Sequence, residues 1–361
     1  MLLRRRPIPS TRPSKYIIQL GGVRTPAQFL AKAAEIQSSY FHGGAMRLQY
    51  DRPGVGLQNL DQQVSASYAI PYDLLEPSLA TTLQIPFTNW TENFLLLNIA
   101  RPGTANMLVD ADREAFINNI RVAARAAYRA GFRGVVFDME AYDSSAFWNY
   151  PAQPAGPTFP QRQASYVSAG SIAINVVEQE FRYRSADIII AISYEQLKDI
   201  ANTAQLQAYR YGLLPSFLDG MHDNATTSRL TCMCEEAYVN TTAADFDHDI
   251  ELQTPPTVPW LNSLNYSKVH LNGLSTWLDA SPPTFNFDFP AANYFTPAGF
   301  QDALDLMIPR VDKYVVVYTN SSCRWPGMVP DAPTTDRQVP YDYVQVLNNM
   351  IYSSSAGWML G

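Results

Sequence analysis

In the stretch Gly131-Phe132-Arg133-Gly134-Val135-Val136-Phe137-Asp138-Met139-Glu140-Ala141-Tyr142-Asp143, an apolar run closes on acids. Asp138, Glu140 and Tyr142 stand two apart, and side chains at that spacing leave a strand on one face. Strand rise starts the two carboxylates about 6 to 7 Å apart at Cα. Like charge at that range, together with burial, keeps a proton on one acid and leaves the other ionised. A proton donor beside a persistent carboxylate is what glycosidic cleavage needs. A second run, Leu230-Thr231-Cys232-Met233-Cys234-Glu235-Glu236-Ala237-Tyr238, also ends in acid and supplies the further carboxylate. Alternation sends only one of Glu235 and Glu236 into the same mouth, and Glu236 is expected because Tyr238 shares its face. Glu140, Asp138 and Glu236 are the candidate catalytic residues. Flat aromatic faces beside acids suit sugar rings, so residues at or just after the ends of apolar runs are candidate substrate contacts: Tyr142, Tyr194, Tyr238, Trp277, Asp279 and Trp325.

The elements that must position these residues are buried strands alternating with helical patterns. The strand-like runs are Ala45–Tyr50, Phe94–Ala100, Gly134–Glu140, Asp187–Ser193, Leu230–Glu236, Val269–Trp277 and Tyr314–Thr319. An eighth falls either between Tyr68 and Pro86 or at Tyr16–Leu20. After Phe94–Ala100, Asp112 can cap a helix with apolar positions Phe116, Ile120, Ala124 and Ala127, ended by Gly131. Similar helices fit Ala164–Arg182 and Pro297–Met307. With 361 residues, 47% of them hydrophobic and 16% charged, the chain is globular and has size enough for one large core. It carries neither GxGxxG nor GxxxxGK[ST], the marks of doubly wound nucleotide-binding sheets. The expected fold is an α/β (β/α)₈ TIM-type barrel, residues 16–361, with long loops on its C-terminal face, preceded by an extended arm over residues 1–15. Two long segments, Asn149–Gln163 with prolines every third residue and Ser281–Pro297 with five aromatics, follow strands and belong to that face.

The strand ending in Asp138 and Glu140 resembles the fourth-strand signature of (β/α)₈ glycoside hydrolases, above all the chitinase-type family with Asp-Gly-x-Asp-x-Asp-x-Glu. Gly134, Asp138 and Glu140 match it, while Arg133 and Val136 stand where that motif has its first and middle Asp. Muramidase-type lysozymes with an Asp-x-Glu strand end are matched equally well. The resemblance implies hydrolysis of a polysaccharide or cell-wall glycan, with Glu140 as general acid and Asp138 as its partner.

Other classes are disfavoured. A net charge of −7 argues against a general nucleic-acid binder. The basic cluster Arg4, Arg5 and Arg6, set among prolines, reads as a solvated arm whose other use is contact with a neighbouring subunit. No apolar run has the length of a membrane span, and Met1-Leu2-Leu3 is too short for a signal-peptide core, so a cytoplasmic protein or one carried in an assembly is expected. His42, His222, His248 and His270 sit at no metal spacing, the cysteines form no zinc pattern, and no Gly-x-Ser-x-Gly elbow occurs. No cofactor and no metal are expected, and Asp219, before Gly220, reads as a turn residue. The arm, the low charge and the aromatic loops also fit a second class, a non-catalytic glycan-binding or structural subunit of a larger particle such as a virion.

Overall fold

Eight parallel strands form the centre of the computed structural model, which describes residues 15–37, 41–142, 147–150, 156–280, 285–319, 323–325 and 337–357. They are β1 (Tyr16–Arg24), β2 (Gly43–Met46), β3 (Phe94–Asn98), β4 (Gly134–Asp138), β5 (Asp187–Ile190), β6 (Arg229–Cys232), β7 (His270–Leu271 and Leu274–Trp277) and β8 (Tyr314–Tyr318). The first piece of β7 pairs with β6, Leu230 opposite His270. Its second piece pairs with β8, Leu274 opposite Val315, and β8 pairs with β1, Tyr16 opposite Tyr314. The two outer segments of the sheet are thus successive pieces of one strand, and the sheet closes on itself as an α/β barrel of the TIM type.

The eighth strand is the early run, extended to Tyr16–Arg24, whereas the stretch from Tyr68 to Pro86 forms a 3₁₀ turn at Tyr72–Leu75 and a helix at Glu76–Thr82. The run expected as Ala45–Tyr50 is divided: β2 stops at Met46, and Gln49–Arg52 pairs antiparallel with Gly56–Asn59 as a hairpin. The arm lies outside the described residues, apart from Lys15, whose Nζ donates to the carbonyls of Ile308 and Pro309 at 2.8 and 3.0 Å.

Alternation along the strands builds two cores. The inward rows, among them Tyr16, Ile18 and Leu20 of β1, Phe94 and Leu96 of β3, and Tyr314 and Val316 of β8, fill the barrel. The outward rows pack beneath a helical layer. The first crossover helix is Asp110–Arg129; Asp112 lies in its first turn rather than at its cap and accepts from the Asn106 N–H at 2.9 Å. Helix Phe159–Glu180 starts where the side chain of Gln161 accepts the Thr158 N–H at 2.8 Å, and it holds Pro160, one of the periodic prolines. Helix Pro297–Met307 follows the sequence pattern, and Thr296 caps it by accepting from Gly299 N at 3.0 Å. Asp219 is in mid-helix (Leu214–Asn224), where it accepts from Tyr194 Oη at 2.9 Å and from two loop amides, so it is a structural tie and not a turn. No described helix is long and apolar enough to cross a membrane.

Candidate functional site

The inward row of β4 runs Gly134, Val136, Asp138, and that of β3 runs Phe94, Leu96, Asn98; the register sets Asn98 directly beside Asp138. At the bottom and middle of the barrel these rows are apolar, and at the C-terminal end they become polar and open into a cavity of about 620 Å³. Asn98 Nδ2 donates to Asp138 Oδ2 at 3.2 Å, and the Glu140 N–H donates to Asp138 Oδ1 at 3.0 Å. Tyr142 stands beside both acids, and after burial the nearness of Asp138 and Glu140 raises its hydroxyl pKa. Burial, with Glu140 nearby, pushes Asp138 up to about 7 against those hydrogen bonds. The chain beyond β4 is fixed by Trp148, whose Nε1 donates to the Met139 carbonyl at 2.6 Å, and by Arg210, which donates to the Ala141 carbonyl at 2.9 Å.

The second acidic strand end is built differently from what alternation implies. β6 stops at Cys232, Cys234 takes a left-handed conformation (φ 49°), and Glu235–Val239 is a 3₁₀ helix. Three residues per turn then replace two, and Tyr238 stands over Glu235 rather than sharing a face with Glu236. Tyr238 Oη donates to Glu235 Oε1 at 3.1 Å. Burial first, then the charges of Asp138 and Glu140, pushes the Glu235 carboxyl well above the usual range. Glu236 also borders the cavity, but its carboxylate is engaged by Lys198 Nζ and by Gln196 Nε2, the latter at 3.0 Å.

The remaining candidates divide. Tyr142, Tyr238 and Trp277 line the cavity. Tyr238, Trp277 and Tyr318 form one aromatic group with ring centroids 5.6 to 5.8 Å apart. Asp279 serves Trp277, accepting its Nε1–H at 2.7 Å. Tyr194 and Trp325 are not brought to the site: each is 1% exposed, Tyr194 tied to Asp219 and Trp325 packed on Phe41 and Phe300. Arg133, at the first position of the motif, lies at the opposite end of the barrel beside Asp187. Residues absent from the sequence reading include Asn98 and Tyr318, both at inward strand ends, which the same alternation could have found. Arg47, Asp61 and Arg101 carry no comparable signal. Among the described residues no group of three or more His, Cys, Asp or Glu side chains is arranged to hold a metal ion.

No protein-family model and no curated protein matches the chain. Among solved structures it is similar to D-psicose 3-epimerase from Clostridium cellulolyticum H10, at 10% identity over 95% of this chain and 98% of that one, with a TM-score of 0.43. It is also similar to a psychrophilic glycoside hydrolase family 10 endo-β-1,4-xylanase, at 12% identity over 86% and 87%, with a TM-score of 0.45. A GH18 chitinase from Pseudoalteromonas aurantia is similar at 9% identity over 84% and 94%, with a TM-score of 0.40. An epimerase, a xylanase and a chitinase stand together here, so the likeness does not choose among activities.

Proposed function

We propose that this barrel is an enzyme that cleaves a glycosidic bond in a polysaccharide or cell-wall glycan by carboxylate acid–base chemistry. The observation that carries the reading is the convergence of Asp138, Glu140 and Glu235 on one cavity walled by Tyr238, Trp277 and Tyr318. Hydrolysis needs one carboxyl to protonate the leaving oxygen and one carboxylate to assist at the anomeric carbon, while water supplies the new hydroxyl. Glu235 suits the first task, because burial and two neighbouring acids keep its proton on and Tyr238 holds its orientation. Glu140 then acts as the carboxylate, the reverse of the role that the strand motif implies for it. Asp138, pinned by Asn98 and the Glu140 amide, fixes the chain that presents Glu140. Glu236, paired with Lys198, anchors the 3₁₀ turn that presents Glu235. The proton given up by Glu235 is restored when water loses one, so the cycle consumes one water and leaves the protein unchanged.

The test is reducing-end release from a panel of soluble glycans by the full chain and by Glu140→Gln and Glu235→Gln, with circular dichroism confirming the fold. Each variant is expected to lose about 10²- to 10⁴-fold in rate. On an aryl glycoside whose leaving group needs no proton, Glu235→Gln recovers and Glu140→Gln does not. Full activity in both folded variants would sink the proposal.

A further inference from the structure

Arg47 stands one residue beyond β2 and lines the same cavity. Its Nε lies 3.0 and 3.1 Å from the two carboxylate oxygens of Asp61, which is 3% exposed. The 3₁₀ turn that carries Asp61, Leu60–Gln62, is itself clamped to the chain just after Arg47, the Leu60 N–H donating to the Leu48 carbonyl at 2.9 Å. Arginine and carboxylate are therefore locked together by local backbone. Neither terminal amino group of Arg47 has a hydrogen-bond partner among the described residues, and the side chain keeps 25% of its surface open. Arg101 borders the cavity too, with its guanidinium 5.9 Å from the centre of the Tyr142 ring. Both arginines act on Asp61, whose carboxyl burial nevertheless pushes up to about 6. Arg47 and Arg101 set two guanidinium groups in the lining of the cavity that Asp138, Glu140 and Glu235 also line.

A planar guanidinium held by Nε, with its outer edge unengaged, matches a carboxylate bidentately. We propose that the substrate ring bound against Arg47 carries a carboxylate, as in a uronic acid, and that Arg47, supported by Asp61, is the residue that selects it. The inference rests on the glycan reading of the cavity and narrows its substrate class to acidic glycans.

Isothermal titration at fixed ionic strength tests it, with glucuronate, glucose and acetate as probes and Glu140→Gln as the non-turning background. Glucuronate is expected to bind at least tenfold more tightly than glucose. Arg47→Gln removes that preference; Arg47→Lys, which keeps a charge beside Asp61 and so protects the fold, restores part of it, because an ammonium lacks the planar fork. No preference for glucuronate, or a preference that survives Arg47→Gln, overturns the inference. Acetate binding that depends on Arg47, with neither sugar bound, upholds the carboxylate subsite and removes the glycan reading. Absence of binding by all three probes overturns the subsite, while the rate comparison of Glu140→Gln with Glu235→Gln still judges the catalytic assignment by itself.

Discussion

Asp138 shows what a polar residue costs at the end of an inward-facing row. Its carboxyl, ordinarily near 3.8, is pushed to about 7 because burial disfavours the charge more than its hydrogen bonds favour it. Below pH 4 the folded and unfolded chains both hold the proton, and the group has no effect on stability. Between pH 4 and about 7 the unfolded chain releases it while the folded chain keeps it, so folding loses free energy as pH rises, and the full penalty is present above 7. Asp138→Asn removes the charge that causes this. The variant is expected to be more stable than the parent at pH 8 by more than about 1 kcal/mol, the worth of one pKa unit, with the difference vanishing near pH 4. Melting temperatures of both proteins across that range measure it. A variant less stable at pH 8 would mean that the hydrogen bonds from Asn98 and Glu140 outweigh burial. Gain of stability with loss of activity is the pattern of a residue kept for chemistry.

At the scale of elements, close approach decides more than propensity. Helices Phe159–Glu180 and Leu214–Asn224 meet at two glycines: a Cβ on Gly170 would stand 2.0 Å from the Phe217 carbonyl oxygen, and one on Gly220 2.1 Å from that of Val167. In an isolated helix, Gly to Ala gains about 1 kcal/mol. Here Gly170→Ala and Gly220→Ala must push two backbones apart, and each is expected to destabilise by about 1–3 kcal/mol in urea unfolding. Stabilisation by either would show that the helices can separate freely. The strands β3, β4, β5 and β8 were legible because both of their faces are buried, which leaves continuous apolar runs. β1 was harder to place, since it follows a proline- and arginine-rich arm, and β2 was masked by the hairpin sequence that continues its pattern. Asp138, Glu140 and Tyr142, read from period two, do line one cavity, although the Tyr142 N–H donating to the Glu140 carbonyl at 3.1 Å turns the chain just past β4. That Glu235 borders the cavity as well as Glu236 is hidden from period two, because Cys234 turns left-handed and starts a 3₁₀ turn, which changes the period from two to three. The Arg47–Asp61 pair was invisible for another reason: it joins a residue after a strand to one on a separate turn, and neither local pattern announces it.

Across the whole molecule, charge is arranged in opposite ways at the two ends of the barrel. At the N-terminal end, Arg133 Nε lies 2.5 Å from Asp187 and 3.5 Å from Glu92, Lys313 Nζ lies 2.6 Å from Asp187, and Tyr314 Oη donates to Glu92 at 2.7 Å. Two buried acids face two cations there, and the network closes the floor beneath Tyr16, Phe94 and Tyr314. At the C-terminal end, Asp138 and Glu235 carry raised pKa values for want of such compensation. Under the proposed function, the floor serves stability and the mouth serves chemistry. Arg133→Met should accordingly destabilise the chain, by less than the ~3–5 kcal/mol expected for a wholly buried pair because 34% of the Arg133 side chain is exposed. Turnover per folded molecule, measured well below the melting temperature, should stay within about twofold of the parent, a factor worth less than 0.5 kcal/mol by the ~1.36 kcal/mol-per-tenfold rule. Glu235→Gln should do the reverse, raising the melting temperature at pH 8 and cutting turnover of glycans by about 10²- to 10⁴-fold. Loss of turnover in Arg133→Met at full stability would mean that the floor reaches the mouth and that the two ends are not independent.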